Sequence, residues 1–186
     1  MNLDQQTGLI TEANFIASPN HDERPEGKEA IEAIIIHCIS LPPGEYGNGC
    51  ISDFFCNKLD TQSHPYFADI GHLTVSSHFV IERSGKLNQY VPTHLRAWHA
   101  GESRCLDKPA VNSFSLGIEL EGLDTDTEGY TDQQYLILQQ LISCLQQAYP
   151  KIKPSNIFAH SDIAPGRKTD PGEFFDWSRV TALGLD

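Results

Sequence analysis

The segment FAHSDIAPGRKTDPG, residues 158–172, gathers His160, Lys168 and Asp170 in a stretch whose prolines and glycines oppose a long helix or strand. An imidazole and a carboxylate in one loop suit a divalent metal, and a neighbouring lysine supplies positive charge. A second imidazole, His37, lies near the carboxyl end of the run AIIIHCI, and His160 lies just past a short run ending in Phe158 and Ala159. In open α/β sheets ligands gather beyond the carboxyl ends of the strands, so two histidines placed this way can converge. His37, His160 and Asp170 together suit zinc, and three protein ligands leave a fourth position for water. In extended backbone residues i and i+2 point the same way, so Lys168 and Asp170 project together, and Pro171 biases Asp170 toward that conformation. An ammonium beside the metal stabilises charge developing on a carbonyl oxygen under attack.

Metal-assisted hydrolysis also needs a group that takes a proton from water and delivers it to the leaving nitrogen. The run SLGIELEG, residues 115–122, alternates strictly, with Leu116, Ile118 and Leu120 on one face and Gly117, Glu119 and Glu121 on the other. Glu119 is the more deeply placed carboxylate. Glu121, nearer the strand end, is expected to be hydrated. Each of these residues also has a structural reading. A histidine in a sheet is often a hydrogen-bonded core residue, Glu119 can pair with an arginine, and Asp170 can cap the turn before Pro171 and Gly172. His72, His78 and His99 are weaker metal candidates. The ligands are far apart in sequence and form no compact motif of the HExxH kind.

The elements that must position these groups are visible in outline. Residues 33–39 form a short β-branched run expected to be a buried central strand. Residues 75–82 and 86–91 flank Ser84 and Gly85 as a hairpin. Residues 132–149 form the clearest helix, with Thr131 and Gln134 as a capping box and Pro150 as its stop. Tyr135, Leu138, Ile142, Leu145 and Tyr149 recur at helical spacing toward the core, and the glutamine pairs 133–134, 139–140 and 146–147 fall on the wet side. Shorter elements are expected at 14–17 (edge strand), 51–59 (helix), 156–159 (strand) and 173–180 (helix), with a long loop between Trp98 and Asn112. The mixed order implies a single α/β domain over residues 1–186, its central mixed sheet flanked by helices, with polar, turn-rich residues 1–30 as an extension packed on it.

A chain of 186 residues is long enough to bury a sizeable core as one domain. Its net charge of −12 opposes general affinity for nucleic acid or anionic membrane. No signal sequence and no apolar run of about 20 residues is visible. Five cysteines, an odd count without a CxxC pair, fit free thiols in a reducing cytosol.

Several segments, in order along nearly the whole chain, resemble the zinc amidase family that includes the peptidoglycan recognition proteins, and within it the cytosolic amidases of anhydro-muropeptides. These are HCISLPPGEYG from His37, HPYFADIGHLTVSSHFVIERSGKLNQYVP from His64, RAWHAG from Arg96, SLGIELEG from Ser115, YTDQQY from Tyr130 and HSDIAPGRKTDPGEFFDW from His160. The resemblance implies that family's fold, one zinc per chain held by His37, His160 and Asp170, and Glu119 and Lys168 as catalytic residues. It implies a cytoplasmic, monomeric N-acetylmuramoyl-L-alanine amidase that cuts the lactyl–L-alanine amide of 1,6-anhydro-muropeptides in cell-wall recycling. Tyr66 matches a position where relatives place an aromatic residue near the site, and Trp98 can offer an apolar face to the sugar or pack in the core.

Two positions depart from the family pattern. Cys38 stands where Asn is usual, pointing away from His37 in an alternating strand. The loop arginine that holds peptide carboxylates is replaced by KPAV, which leaves Lys108 or Arg104 to serve, and Lys lacks the bidentate fork of Arg. The alternatives are an envelope amidase acting on polymeric peptidoglycan and a non-catalytic muropeptide-binding module.

Overall fold

The strand Ala33–Ile39 is buried along its first five residues, and Ser115–Glu121 is buried along all seven, as expected for neighbours at the centre of a covered sheet. In the computed structural model, which describes residues 1–181, they pair in parallel in a six-stranded sheet. Residues 182–186, the end of the expected domain span, lie outside the described residues. The strand order is Ile157–Ala159, Ala33–Ile39, Ser115–Glu121, Phe79–Ile81, Leu87–Gln89 and Asn14–Phe15. The first four run parallel. Leu87–Gln89 turns back antiparallel, and Asn14–Phe15 closes the edge parallel to it. This is the mixed sheet expected from the element order.

Alternation divides the sheet's duties. Leu116, Ile118 and Leu120 point with Ile34 and Ile36 toward the helix Asp132–Ala148, where Tyr135, Leu138, Ile142 and Leu145 meet them. Burying each large aliphatic side chain is worth about 1.5–3 kcal/mol, so this layer clamps the strands in register. The opposite face carries Ala33, Ile35 and His37 beside Gly117 and Glu119, with Val111, Phe114 and Ile163 packed on its lower part. That face leaves its carboxyl end open.

The helix begins with the expected capping box: the Thr131 hydroxyl accepts from Gln134 N–H, and the Gln134 side chain accepts from Thr131 N–H. Gln134 departs from the expected wet side. It is fully buried, and its Nε2 donates to the carbonyls of Ile81 and Glu121, tying the helix start to two strand ends. The Cys50–Phe55 helix stops short of the expected span because Asn57 takes a left-handed conformation (φ 57°). A helix absent from the sequence reading, Pro65–Ile70, starts where the His64 ring accepts from Tyr66 N–H and Pro65 presets the first turn. Of the expected C-terminal helix at 173–180, the described residues hold Ser178–Thr181, which starts later than expected. The loop after Trp98 contains a small ladder, Arg104–Cys105 with Lys108–Pro109.

The polar N-terminal residues are stitched into this body. Leu3–Asp4 pairs with Leu9–Ile10, which delivers Ile10 to the core under the long helix. His21–Glu23 pairs with Leu95–Ala97. Arg24 is only 4% exposed and donates to the carbonyls of Thr93, Asn112, Ser113 and Ser115, so one guanidinium ties three chain segments together. All five cysteines are free. Among the described residues no helix is long and apolar enough to cross a membrane.

Candidate metal and catalytic site

The parallel register builds the site. His37 stands opposite Glu119, which stands opposite Val80. Ala159 stands opposite Ile36, so the next residue, His160, comes level with His37. One row across the carboxyl end of the sheet therefore holds His160, His37 and Glu119 on one face. His160 opens the short helix His160–Ile163, held by the Asp162 carboxylate on Ala159 N–H. The chain then turns back so that Ser161 N–H donates to the Asp170 carbonyl at 3.0 Å, which returns the Asp170 side chain to His160. Tyr130 OH donates to the Pro171 carbonyl at 2.6 Å and anchors the same loop from below.

His37 Nδ1 lies 2.9 Å from His160 Nδ1 and 3.2 Å from Asp170 Oδ2, and His160 Nδ1 lies 3.0 Å from the same oxygen. Ligands about 2.0 Å from a tetrahedral zinc stand about 3.3 Å apart, so the cluster has close to the spacing of one face of such a site. The donor chemistry fits as well. His160 Nε2 faces the Ala100 carbonyl at 3.2 Å, which only accepts, so this nitrogen donates and the ring turns its Nδ1 to the cluster. Burial depresses His37 to about 4, against the opposing pull of Asp170, which keeps the imidazole neutral at pH 7. Burial works to raise the Asp170 carboxyl, but its contacts with His160 and His37 outweigh it and hold the group well below the usual carboxylate range. Two imidazole nitrogens and a carboxylate oxygen converging this closely suit a cation.

Glu119 sits beside this cluster at 8% exposure, and its Oε2 has no hydrogen-bond partner. Burial raises its pKa well above the ordinary value, the charge of Asp170 adds to the rise, and Lys168 opposes it. A buried carboxyl with one oxygen unpaired, next to a cluster suited to a cation, is placed to exchange protons. The other strand carboxylate corrects the expectation made for it. Glu121 is 3% exposed and accepts from the N–H groups of Gly47 and Arg83, so it anchors loops and is not hydrated.

His37, Glu119, His160, Lys168 and Asp170 all line one cleft of about 460 Å³, within the range of small-ligand sites. Tyr66 and Trp98 line it too, with Phe54, Leu73 and Val75 along the apolar wall. Trp98 is half-buried, and its indole N–H donates to Asp22, which orients the ring. Lys168 is exposed on the rim.

The structure does not bring Arg104 or Lys108 to the cleft. Their ladder turns through Leu106 and Asp107, both left-handed, and faces them outward. Arg104 donates to its own turn at the Asp107 carbonyl, and Lys108 pairs with Glu32 over the Phe114 ring. The guanidinium that does border the cleft is Arg167, held by the carbonyls of Ala100 and Glu102. Its place in the sequence does not reveal this, because it depends on the fold of the loop after Trp98. Cys38 packs toward the core under the long helix, on the side of its strand opposite His37, and burial pushes its thiol up to about 12.

Comparison with known proteins places the chain in a family. The family profile of N-acetylmuramoyl-L-alanine amidase matches residues 27–173. The 1,6-anhydro-N-acetylmuramyl-L-alanine amidase AmpD of Haemophilus influenzae is 47% identical over 176 residues, covering 95% of this chain and 94% of its own. Its namesake from Escherichia coli is 47% identical over 178 residues, covering 96% and 95%. A crystal structure of an AmpD derivative superposes with a TM-score of 0.92 at 48% identity, covering 98% of this chain and 99% of its own. The Escherichia coli amidase AmiD, solved with anhydro-N-acetylmuramic acid-L-Ala-D-gamma-Glu-L-Lys, superposes at 0.62 with 28% identity, covering 84% of this chain and 58% of its own. The chain is a member of the N-acetylmuramoyl-L-alanine amidase family.

Proposed function

We propose that the protein is a zinc-dependent amidase that hydrolyses the lactyl–L-alanine amide of 1,6-anhydro-muropeptides during cell-wall recycling in the cytoplasm. The carrying observation is the convergence of His37, His160 and Asp170 within 4.8 Å of one another, beside a buried carboxyl with one oxygen unpaired. The relatives of nearly equal length bear this activity in their names, and AmiD was solved with such a substrate.

His37 Nδ1, His160 Nδ1 and Asp170 Oδ2 would hold one zinc per chain. Bound there, zinc supplies Lewis-acid polarisation of the scissile carbonyl and acidifies the attacking water. Glu119 takes the proton from that water and hands it to the departing nitrogen of L-alanine, and its raised pKa suits both halves of the exchange. Lys168, on the cleft rim two residues from Asp170, sets its charge against the oxyanion. Trp98 and the apolar wall shelter the sugar, Tyr66 lies along the peptide, and Arg167 replaces Arg104 and Lys108 as the cation nearest a bound stem peptide.

The test is mass spectrometry of products after zinc-loaded protein is incubated with anhydro-muramyl-tripeptide, with a chelated control. Chelator-sensitive release of free tripeptide and anhydro-muramic sugar is expected. Clearing of intact sacculi without release from the anhydro-muropeptide would shift the assignment to an envelope amidase. Tight binding without cleavage would shift it to a recognition module.

A further inference from the structure

We propose that His99 is a positioning residue for the metal site: by accepting a hydrogen bond from His37 Nε2 it fixes the tautomer that leaves His37 Nδ1 bare toward His160 and Asp170. The inference rests on the zinc reading above and deepens it. His37 Nε2 lies 3.0 Å from His99 Nδ1, His99 Nε2 lies 3.3 Å from Ser115 Oγ, and Ser115 Oγ lies 2.7 Å from the Val111 carbonyl.

The direction of this chain is set at its far end. A backbone carbonyl only accepts, so the Ser115 proton is committed to Val111. The Ser115 oxygen then accepts from His99, which places the His99 proton on Nε2. With its proton on Nε2, the His99 imidazole offers Nδ1 as the acceptor. His37 must donate from Nε2 to meet it, and its Nδ1 turns unprotonated toward the other two ligand atoms. His160 reaches the same state by a shorter route, through the Ala100 carbonyl. Each imidazole ligand is therefore polarised from a backbone carbonyl, directly in one case and through two side chains in the other.

The fold also makes room for this ring. A Cβ on Gly117 would sit 2.6 Å from His99 Cγ, so the glycine opposite Ile35 in the central strand lets the imidazole come this close to the backbone. His99 N–H donates to Asn112 Oδ1 at 3.2 Å, and its ring meets His37 edge-on at 5.1 Å between centroids. These contacts settle the position of the ring before any ligand arrives.

The test compares wild type, His99→Phe, His99→Gln and Ser115→Ala by zinc affinity, measured in competition with a chromophoric chelator, and by melting of the zinc-free proteins. Outer-shell partners of a metal-binding histidine are typically worth about 10–100-fold in affinity, so His99→Phe should weaken zinc by that factor in the fraction that is folded without zinc, beyond the lower melting point expected from the unpaired His37 Nε2–H. His99→Gln, whose side-chain carbonyl can still accept, should recover part of the loss, and Ser115→Ala should lose less than His99→Phe. Zinc affinity of His99→Phe within about twofold of wild type would overturn the inference. If His99→Phe does not fold, Ser115→Ala decides, with unchanged affinity overturning the proposal and a several-fold loss supporting it. Wild type that binds no zinc would instead remove the zinc reading itself.

Discussion

Replacing Glu119 by Gln should abolish turnover and yet stabilise the zinc-free protein at neutral pH. The side chain is 8% exposed, one carboxyl oxygen has no partner, and burial with the nearby Asp170 charge raises the folded pKa well above the ordinary value. In the unfolded chain a glutamate titrates near pH ~4.3. Between that value and the raised folded one, the native state holds one proton more than the unfolded state. Unfolding free energy then falls with rising pH, by about 1.4 kcal/mol per pH unit across the window. Above the folded pKa the loss is complete and the curve flattens. Gln does not titrate, so the difference between variant and wild type should be small near pH ~4.5 and grow at up to that slope through the window. Asp170 shifts the other way, but it is common to both proteins and cancels in the difference. The assay is urea denaturation of zinc-free protein at a series of pH values. A flat difference, or one that shrinks as pH rises, would refute the claim that Glu119 is a strained, desolvated acid.

Lys168→Ala should leave zinc affinity near wild type and lower kcat by about 100–1000-fold, as for other lost oxyanion partners, checked by chelator competition beside steady-state kinetics. Tyr130→Phe removes the donor to the Pro171 carbonyl and should cost about 1–3 kcal/mol, seen in zinc-free melting, with weaker zinc binding as the Asp170 loop loosens. Gly172→Ala should disturb the same loop more strongly. Its φ is +92°, and a Cβ there would lie 2.1 Å from the Asp124 carbonyl oxygen, so lower stability and weaker zinc binding are expected together in the same two assays.

Much of the site was legible because alternation is a local property. Strict alternation in SLGIELEG put Glu119 on the polar face, and the β-branched run before His37 marked a covered strand whose carboxyl end meets the cleft. What spacing alone left open was convergence: His37 and His160 are 123 residues apart, and only the parallel register brings them level. Polar residues that solve a backbone problem were the ones misjudged. Arg24 sat in a polar, turn-rich stretch, Gln134 on a face expected to be wet and Glu121 at a strand end. Each is buried because it satisfies main-chain groups from distant segments, and that demand leaves no local pattern. Arg104 and Lys108 were misplaced for a different reason: two left-handed residues in their turn decide which way the loop faces.

The central claim is that one zinc, held by His37, His160 and Asp170, powers the cleavage. The most direct measurement is a titration of metal-free protein with zinc, scored by hydrolysis of anhydro-muramyl-tripeptide. Activity should be absent at the start, rise linearly and break at one equivalent per chain, and Asp170→Ala should show no such break. Full activity without metal, or a break at one equivalent that survives in Asp170→Ala, would contradict the account.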